Sequence, residues 1–265
     1  MAKITSIANQ KGGIGKTTTA LNLSYALSQD DKKVLLIDFD PQASLSIALG
    51  VNGENISNIH TLMQAEIEGG RIEEDYIINI NDNLDLIAGT LDLAGIEASL
   101  VNVMSREMIL KDVIERVESK HSYDYIIIDC SPSLGMLTIN ALTTSDSVLI
   151  PVTPEYLSAK GLALLINSIN KIKKRINPDI VIDGVLITMI DKRTNLSKEM
   201  VKVLNQSVDF VKEEYNIDIK IYESMIPKSV KTGEAILNRK SVIEYDPHNK
   251  VSQAYKNFAL EWSDV

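Results

Sequence analysis

Ile4-Thr5-Ser6-Ile7-Ala8-Asn9-Gln10-Lys11-Gly12-Gly13-Ile14-Gly15-Lys16-Thr17-Thr18 is the stretch on which the fold turns. A short apolar run, Ile4–Ala8, reads as a strand. Three glycines in four positions break it, and Lys16 then opens a segment with apolar residues at helical spacing. A glycine-rich turn between strand and helix is the setting of a phosphate-binding loop. Glycines let successive backbone N–H groups turn inward around phosphate oxygens, and the N-terminus of the following helix adds its dipole. Lys16, in the first helical turn, can reach the outer phosphates, and the Thr17 hydroxyl can coordinate Mg²⁺. The candidate phosphate-binding residues are therefore Lys11, Gly12, Gly13, Ile14, Gly15, Lys16, Thr17 and Thr18.

Two further segments carry carboxylates at the ends of apolar runs. Leu35-Leu36-Ile37-Asp38-Phe39-Asp40-Pro41-Gln42 places two acids two residues apart at a strand end, where both project to the same side and both can face a metal and an attacking water. Tyr125-Ile126-Ile127-Ile128-Asp129 has the form of a Walker B strand, whose terminal carboxylate supports Mg²⁺. Asp38 and Asp129, with Thr17, are the candidate metal residues.

Working outward, apolar runs recur at Ile4–Ala8, Val34–Asp38, Leu84–Ile87, Tyr125–Asp129, Ser147–Val152, Gly184–Ile190 and Ile219–Ile226. Helical spacing fills Lys16–Ser28, Ser105–Ser119, Ala159–Ile176 and Lys198–Tyr215 between them. Runs such as Val34-Leu35-Leu36-Ile37 are apolar on both faces, as strands buried on both sides are. The alternation predicts an α/β fold: a single P-loop NTPase domain over residues 1–265, with a mostly parallel sheet and helices on both faces. At the C-terminus Val251, Ala254, Tyr255, Phe258, Ala259 and Trp262 share one helical face, expected to pack on the core.

Of 265 residues, 45% are hydrophobic and 24% charged, the composition of a globular chain. No apolar run approaches the roughly 18 residues of a membrane span, and the first residues lack a signal-peptide core. A cytoplasmic location without membrane contact is expected. The single cysteine, Cys130, excludes an internal disulfide framework and multi-cysteine metal sites within one chain. His60, His121 and His248 lack ligand spacing. The net charge of −9 is concentrated in residues 54–98, where ten acids face one base, Arg71, so the remainder of the chain is neutral. An acidic pI of 4.9 is thus weak evidence against a nucleic-acid partner. Basic residues gather instead at Lys171–Arg175, at Arg193, and at Lys228, Lys231, Arg239 and Lys240. Without aromatic–basic interleaving or a helix-turn-helix pattern, phosphate contacts without base readout are the expectation.

The string Lys11-Gly12-Gly13-Ile14-Gly15-Lys16-Thr17-Thr18, with a second lysine at the loop entrance and Gln10 where the common pattern has glycine, resembles the deviant Walker A motif of the ParA/MinD family of ATPases. Asp40-Pro41-Gln42, Ser131-Pro132-Ser133-Leu134-Gly135, Thr188–Leu196 and Ile226-Pro227-Lys228 extend the likeness to the ParA (Soj-like) partition branch over nearly the whole chain, without an N-terminal DNA-binding extension. One cysteine sets aside the iron–sulfur branches, one tyrosine in the last eleven residues the tyrosine-kinase branch, and the mixed-charge tail the membrane-bound MinD branch. Lys228-Ser229 and Ile236–Lys240 depart from the usual sequences of the branch. The resemblance implies ATP and Mg²⁺ as cofactors, catalytic roles for Lys11, Lys16 and Asp40, and Pro227 at the nucleotide. It makes Lys11 the residue that reaches the partner's nucleotide in an ATP-dependent homodimer, Asp38 a water-mediated metal ligand, Asp40 the group that orients the attacking water, and Ser131–Gly135 the γ-phosphate sensor. It further implies non-specific DNA binding through Arg193, Lys228, Lys231, Arg239 and Lys240, and a ParB-like protein that stimulates hydrolysis. A nucleotide-gated regulator of another protein, or a MinD-like membrane-associated positioning ATPase, are the alternative readings.

Overall fold

The computed structural model describes residues 1–71, 75–191, 193–215, 217 and 219–263. Glu73 and Glu74 of the acidic stretch, Lys192 and Asp264 lie outside the described residues.

Eight strands form one sheet: β1 (Lys3–Ile7), β2 (Val34–Phe39), β3 (Ile78–Asn81), β4 (Leu84–Ile87), β5 (Tyr125–Cys130), β6 (Ser147–Val152), β7 (Val181–Ile190) and β8 (Ile221–Pro227), in the order β3-β4-β2-β5-β1-β6-β7-β8. Every pairing is parallel except β3 with β4. The seven apolar runs are thus strands. β3, Ile-Asn-Ile-Asn, was not expected; its alternating residues suit an edge strand with one face half-buried. β7 begins at Val181, three residues before the expected start, because Asp183 and Gly184 sit inside the strand at a register shift opposite Val148 and Leu149. A side chain at Gly184 would meet the Tyr222 ring 2.6 Å away, so the glycine serves close strand packing.

Helices cover both faces. On one lie α1 (Lys16–Gln29), α2 (Ser44–Ala48), α9 (Lys231–Leu237), α10 (Val242–Tyr245) and α11 (Lys250–Ser263). On the other lie α3 (Ile59–Glu68), α4 (Leu93–Ser99), α5 (Ile109–Glu118), α6 (Met136–Thr144), α7 (Tyr156–Arg175) and α8 (Asn195–Tyr215). The central strands β2, β5 and β6 are buried almost throughout, which is why they read as unbroken apolar runs. Short helices such as α2, α4 and α9 have five to seven residues, too few to show a helical period in the sequence.

The C-terminal face packs as expected. Val251, Tyr255, Phe258, Ala259 and Trp262 of α11 are buried, the Trp262 ring lies beneath the Lys3 ammonium at 4.5 Å, and its indole N–H donates to Asp183. Helix α1 is fastened to this end of the chain from within: Asn22 accepts the N–H groups of Val242 and Ile243 at 2.9 and 3.4 Å, and the Thr19 and Tyr255 hydroxyls lie 3.2 Å apart. No helix among the described residues is long and apolar enough to cross a membrane.

Candidate functional site

The C-terminal ends of β1, β2 and β5 meet at the middle of the sheet, and the loop from Ala8 to Gly15 crosses above them. Gly13 and Gly15 have φ of +70° and +86°, a region side-chain-bearing residues rarely adopt. The Gly15 carbonyl accepts the Thr19 N–H at 2.9 Å, and no side chain caps the N-terminus of α1. The first-turn amides therefore remain available to an anion. Lys16 is only 7% exposed, and its ammonium makes one long hydrogen bond, 3.3 Å, to the Lys11 carbonyl. Burial pushes its pKa down, and the negative charge of Asp129 opposes that shift. The Lys11 ammonium is exposed in part and pairs with Glu155.

Asp38 and Asp129 stand opposite each other in register on β2 and β5, both fully buried. Asp38 Oδ2 accepts the Ser46 N–H at 2.8 Å and the Ser46 hydroxyl at 2.7 Å, whereas Oδ1 has no hydrogen-bond partner among the described residues. Neither oxygen of Asp129 makes a hydrogen bond of ordinary geometry, although the Thr17 hydroxyl and the Lys16 ammonium are near enough to pull its pKa down. Burial first, then the neighbouring Asp38, push Asp129 well above the usual carboxylate range. Burial also takes Asp38 up to about 6 against the Ser46 hydrogen bonds. Asp40, two residues beyond Asp38, is 9% exposed and accepts the Gln42 N–H at 3.0 Å.

Three unpaired carboxylate oxygens in a buried site are costly unless something positive joins them. With Thr17 beside them the donor set is all oxygen, which suits a hard divalent cation such as Mg²⁺ rather than a thiophilic metal. Among the described residues no three His, Cys, Asp or Glu side chains form a metal cage. The site therefore fits an ion that takes its remaining ligands from phosphate and water.

Other expected residues fall around this centre. Ser131 is buried, its hydroxyl 3.1 Å from that of Ser133 in the turn before α6. Cys130 is buried beneath, its thiol pushed up to about 12 chiefly by burial, so it is an inert core residue. Pro227 ends β8, and the Lys228 N–H donates to the Ile190 carbonyl at 3.1 Å, which brings Lys228 near Asp191. Lys228 lines a groove with Lys11, Gly12, Gly13, Ile14 and Glu155. Three of the five expected DNA contacts are tied to acids: Arg193 to Asp191 at 3.0 Å, Lys231 to Glu234 at 2.8 Å and Lys240 to Glu244 at 2.9 Å. Arg239 lies against Gly50, where a Cβ would come within 2.3 Å of its Cδ. A separate groove runs along α3 past His60 and Arg71 and includes none of the phosphate-site residues.

Sequence reasoning missed Ser46, which fixes Asp38, and Gly89, where a Cβ would lie 2.8 Å from the Asp38 carboxyl carbon. It also missed Glu155. None belongs to a recognisable local pattern: Ser46 reaches Asp38 from the helix after the same strand, and Gly89 and Glu155 meet the site only in the folded sheet.

An eight-stranded, mostly parallel sheet with a glycine loop over its central strand and carboxylates on the two adjoining strand ends defines the P-loop nucleoside triphosphatase class. Residues 2–182 match the family described as AAA domain. Soj of Bacillus subtilis, a sporulation initiation inhibitor protein, is 41% identical over 98% of both chains. The chromosome partitioning protein ParA of Myxococcus xanthus is 37% identical over 96% of this chain and 86% of its own. The crystal structure of a cobyrinic acid a,c-diamide synthase from Mycobacterium smegmatis, with bound ATP analogue and magnesium, is 28% identical, with a TM-score of 0.79 over 98% of this chain and 93% of that one. The chain belongs to the ParA/Soj family of P-loop ATPases.

The paired carboxylates have a consequence for stability. With folded-state pKa values above the unfolded values, the native state holds more protons than the unfolded chain. Stability from this pair is therefore greatest near pH 4 and falls as pH rises through about 6, with Asp129 contributing in the same direction. Asp129→Asn is expected to be more stable than wild type at pH 8 without divalent ions, the gap closing toward pH 4. Urea unfolding at both pH values in EDTA checks this; a gap that widens on acidification would contradict it.

Proposed function

We propose that this protein is a DNA-partition ATPase that dimerises on binding ATP with Mg²⁺, holds DNA without sequence preference in that state, and is reset by hydrolysis. The observation that carries the reading is the phosphate loop set beside two buried carboxylates with unpaired oxygens. Gly13, Gly15 and the uncapped start of α1 offer amides to the triphosphate, and Lys16 supplies a desolvated positive charge. Thr17, Asp38 and Asp129 would hold Mg²⁺, the carboxylates through water. The ion, when bound, neutralises charge on the transferred phosphoryl group. Asp40 orients the attacking water, Ser131–Gly135 follow the γ-phosphate, and Pro227 borders the base. Lys11 leaves Glu155 to reach the nucleotide of a second copy. Hydrolysis then proceeds by positioning and electrostatic stabilisation, and a ParB-like protein is the expected stimulator.

ATP, and not ADP, should convert the protein to a DNA-bound dimer. Light scattering and DNA co-sedimentation with each nucleotide test this, and a monomer or equal binding with ADP would refute it. Within that state, Lys228→Ala should weaken binding on any sequence and lower the salt-dependence slope by about 1. Lys228 has no ion-pair partner among the described residues, whereas Arg193 must first release Asp191. Arg193→Ala is expected to have the smaller effect. If filter binding across a salt series shows no slope change for either, the DNA surface lies elsewhere and Lys171–Arg175 is the next segment to test.

A further inference from the structure

The phosphate loop is fastened from behind, at both ends, to the C-terminal end of β6. At its entrance Asn9 donates from Nδ2 to the Pro151 carbonyl at 2.8 Å and accepts the Lys11 N–H at 3.1 Å. At its exit the Thr188 hydroxyl, near the end of β7 and 1% exposed, lies 2.7 Å from the Ile14 carbonyl and 3.1 Å from the Val152 carbonyl. A hydroxyl has one proton to donate, and the shorter contact, to Ile14, takes the larger share of it.

The consequence follows from peptide geometry. Among the described residues no peptide is cis, so the Ile14 carbonyl and the Gly15 N–H point in opposite directions across one rigid plane. Holding that carbonyl back against Thr188 aims the Gly15 N–H toward the hollow of the loop. The glycines cannot do this alone: a residue without a Cβ rotates between backbone basins at little cost. The neighbouring residue Met189 has φ of +53°, which is uncommon for a residue with a side chain, and its Cε would lie 3.6 Å from a Cβ placed on Gly15. The end of β7 is thus held in an unusual backbone conformation directly against the loop, as segments that pre-organise a site often are.

We propose that Thr188 is a positioning residue for nucleotide binding: its hydroxyl locks the Ile14–Gly15 peptide with the amide facing the phosphates. This rests on Lys11–Thr18 being the phosphate cradle. Thr188→Val keeps the shape and removes the proton, while Thr188→Ser keeps the proton and removes a methyl group. Losing this bond is expected to weaken ADP and ATPγS binding about tenfold in Thr188→Val. Thr188→Ser should stay within about twofold of wild type.

Calorimetry of wild type, both variants and Lys16→Ala, with the unfolding midpoint of each measured without nucleotide, makes the comparison. Tenfold loss in Thr188→Val with recovery in Thr188→Ser supports the proposal, and Thr188→Ala must lose the same amount should the valine variant fold poorly. Wild-type affinity in Thr188→Val, or equal loss in Thr188→Ser, overturns it. Those failures are recognisable because wild type still binds and Lys16→Ala does not. If wild type itself binds neither nucleotide, the cradle reading has failed instead.

Discussion

Asp40→Ala is expected to bind ATP and dimerise yet hydrolyse it about 10²- to 10⁴-fold more slowly, the usual worth of a positioned acid–base group. Asp40 follows β2 on the same side as Asp38, and its charge is felt by both Lys16 and Asp129. The Gln42 N–H holds one of its oxygens, which fixes the carboxylate plane without neutralising it. Asp40 therefore has what a water-orienting group needs: a defined direction, partial burial and proximity to the phosphate end of the site. In the proposed mechanism it orients water and does not grip the triphosphate, so binding should survive its removal. Single-turnover hydrolysis with light scattering in ATP is the measurement. A monomeric Asp40→Ala would move it from the chemical step to the assembly step.

Lys16→Ala should lower nucleotide affinity by about 10²-fold or more while leaving the fold intact. Its ammonium is buried, and its single hydrogen bond, to a backbone carbonyl, is long. A charge held this way is poorly solvated and gains strongly from an arriving phosphate. Truncating one side of a buried, hydrogen-bonded charge pair commonly costs about 2–5 kcal/mol, and each 1.4 kcal/mol is tenfold. Without ligand, the variant loses an ammonium whose burial is unfavourable, so its unfolding midpoint should change little. Calorimetry with ADP and ATPγS decides; unchanged affinity would remove the phosphate loop from this stretch.

How much of this was legible in the sequence depended on whether the signal was local. The loop from Asn9 to Thr18 and the acids at Asp38, Asp40 and Asp129 each sit in one short segment with a distinctive spacing, and the structure brings them together. Apolar runs marked seven strands because the central strands are buried on both faces. β3 escaped because Ile-Asn-Ile-Asn at an edge has only half its residues turned to the core. Ser46 and Gly89, and the part played by Thr188 within a segment already noted, escaped for another reason. Ser46 holds Asp38 from the start of the helix that follows the same strand, Gly89 and Thr188 act from other strand ends, and an isolated serine, glycine or threonine carries no sign of what it will face. The basic segments were visible as composition, but composition did not show that Asp191, Glu234 and Glu244 would hold three of those side chains.

The place of β1 in the sheet also governs when the protein can exist at all. β1 is an interior strand, and both of its neighbours, β5 and β6, follow it by more than a hundred residues in the chain. Such long-range pairing slows folding and leaves a nascent chain with an apolar strand unpaired on both edges. The loop that follows β1 then lacks Asp129, which arrives with β5, and the Pro151, Val152 and Thr188 anchors, which arrive later still. A chain halted before residue 125 has the nucleotide motif written in it and no means of holding a nucleotide. β1 can take its place in the sheet only after β5 and β6 have been made, and the loop gains its anchors at the same stage.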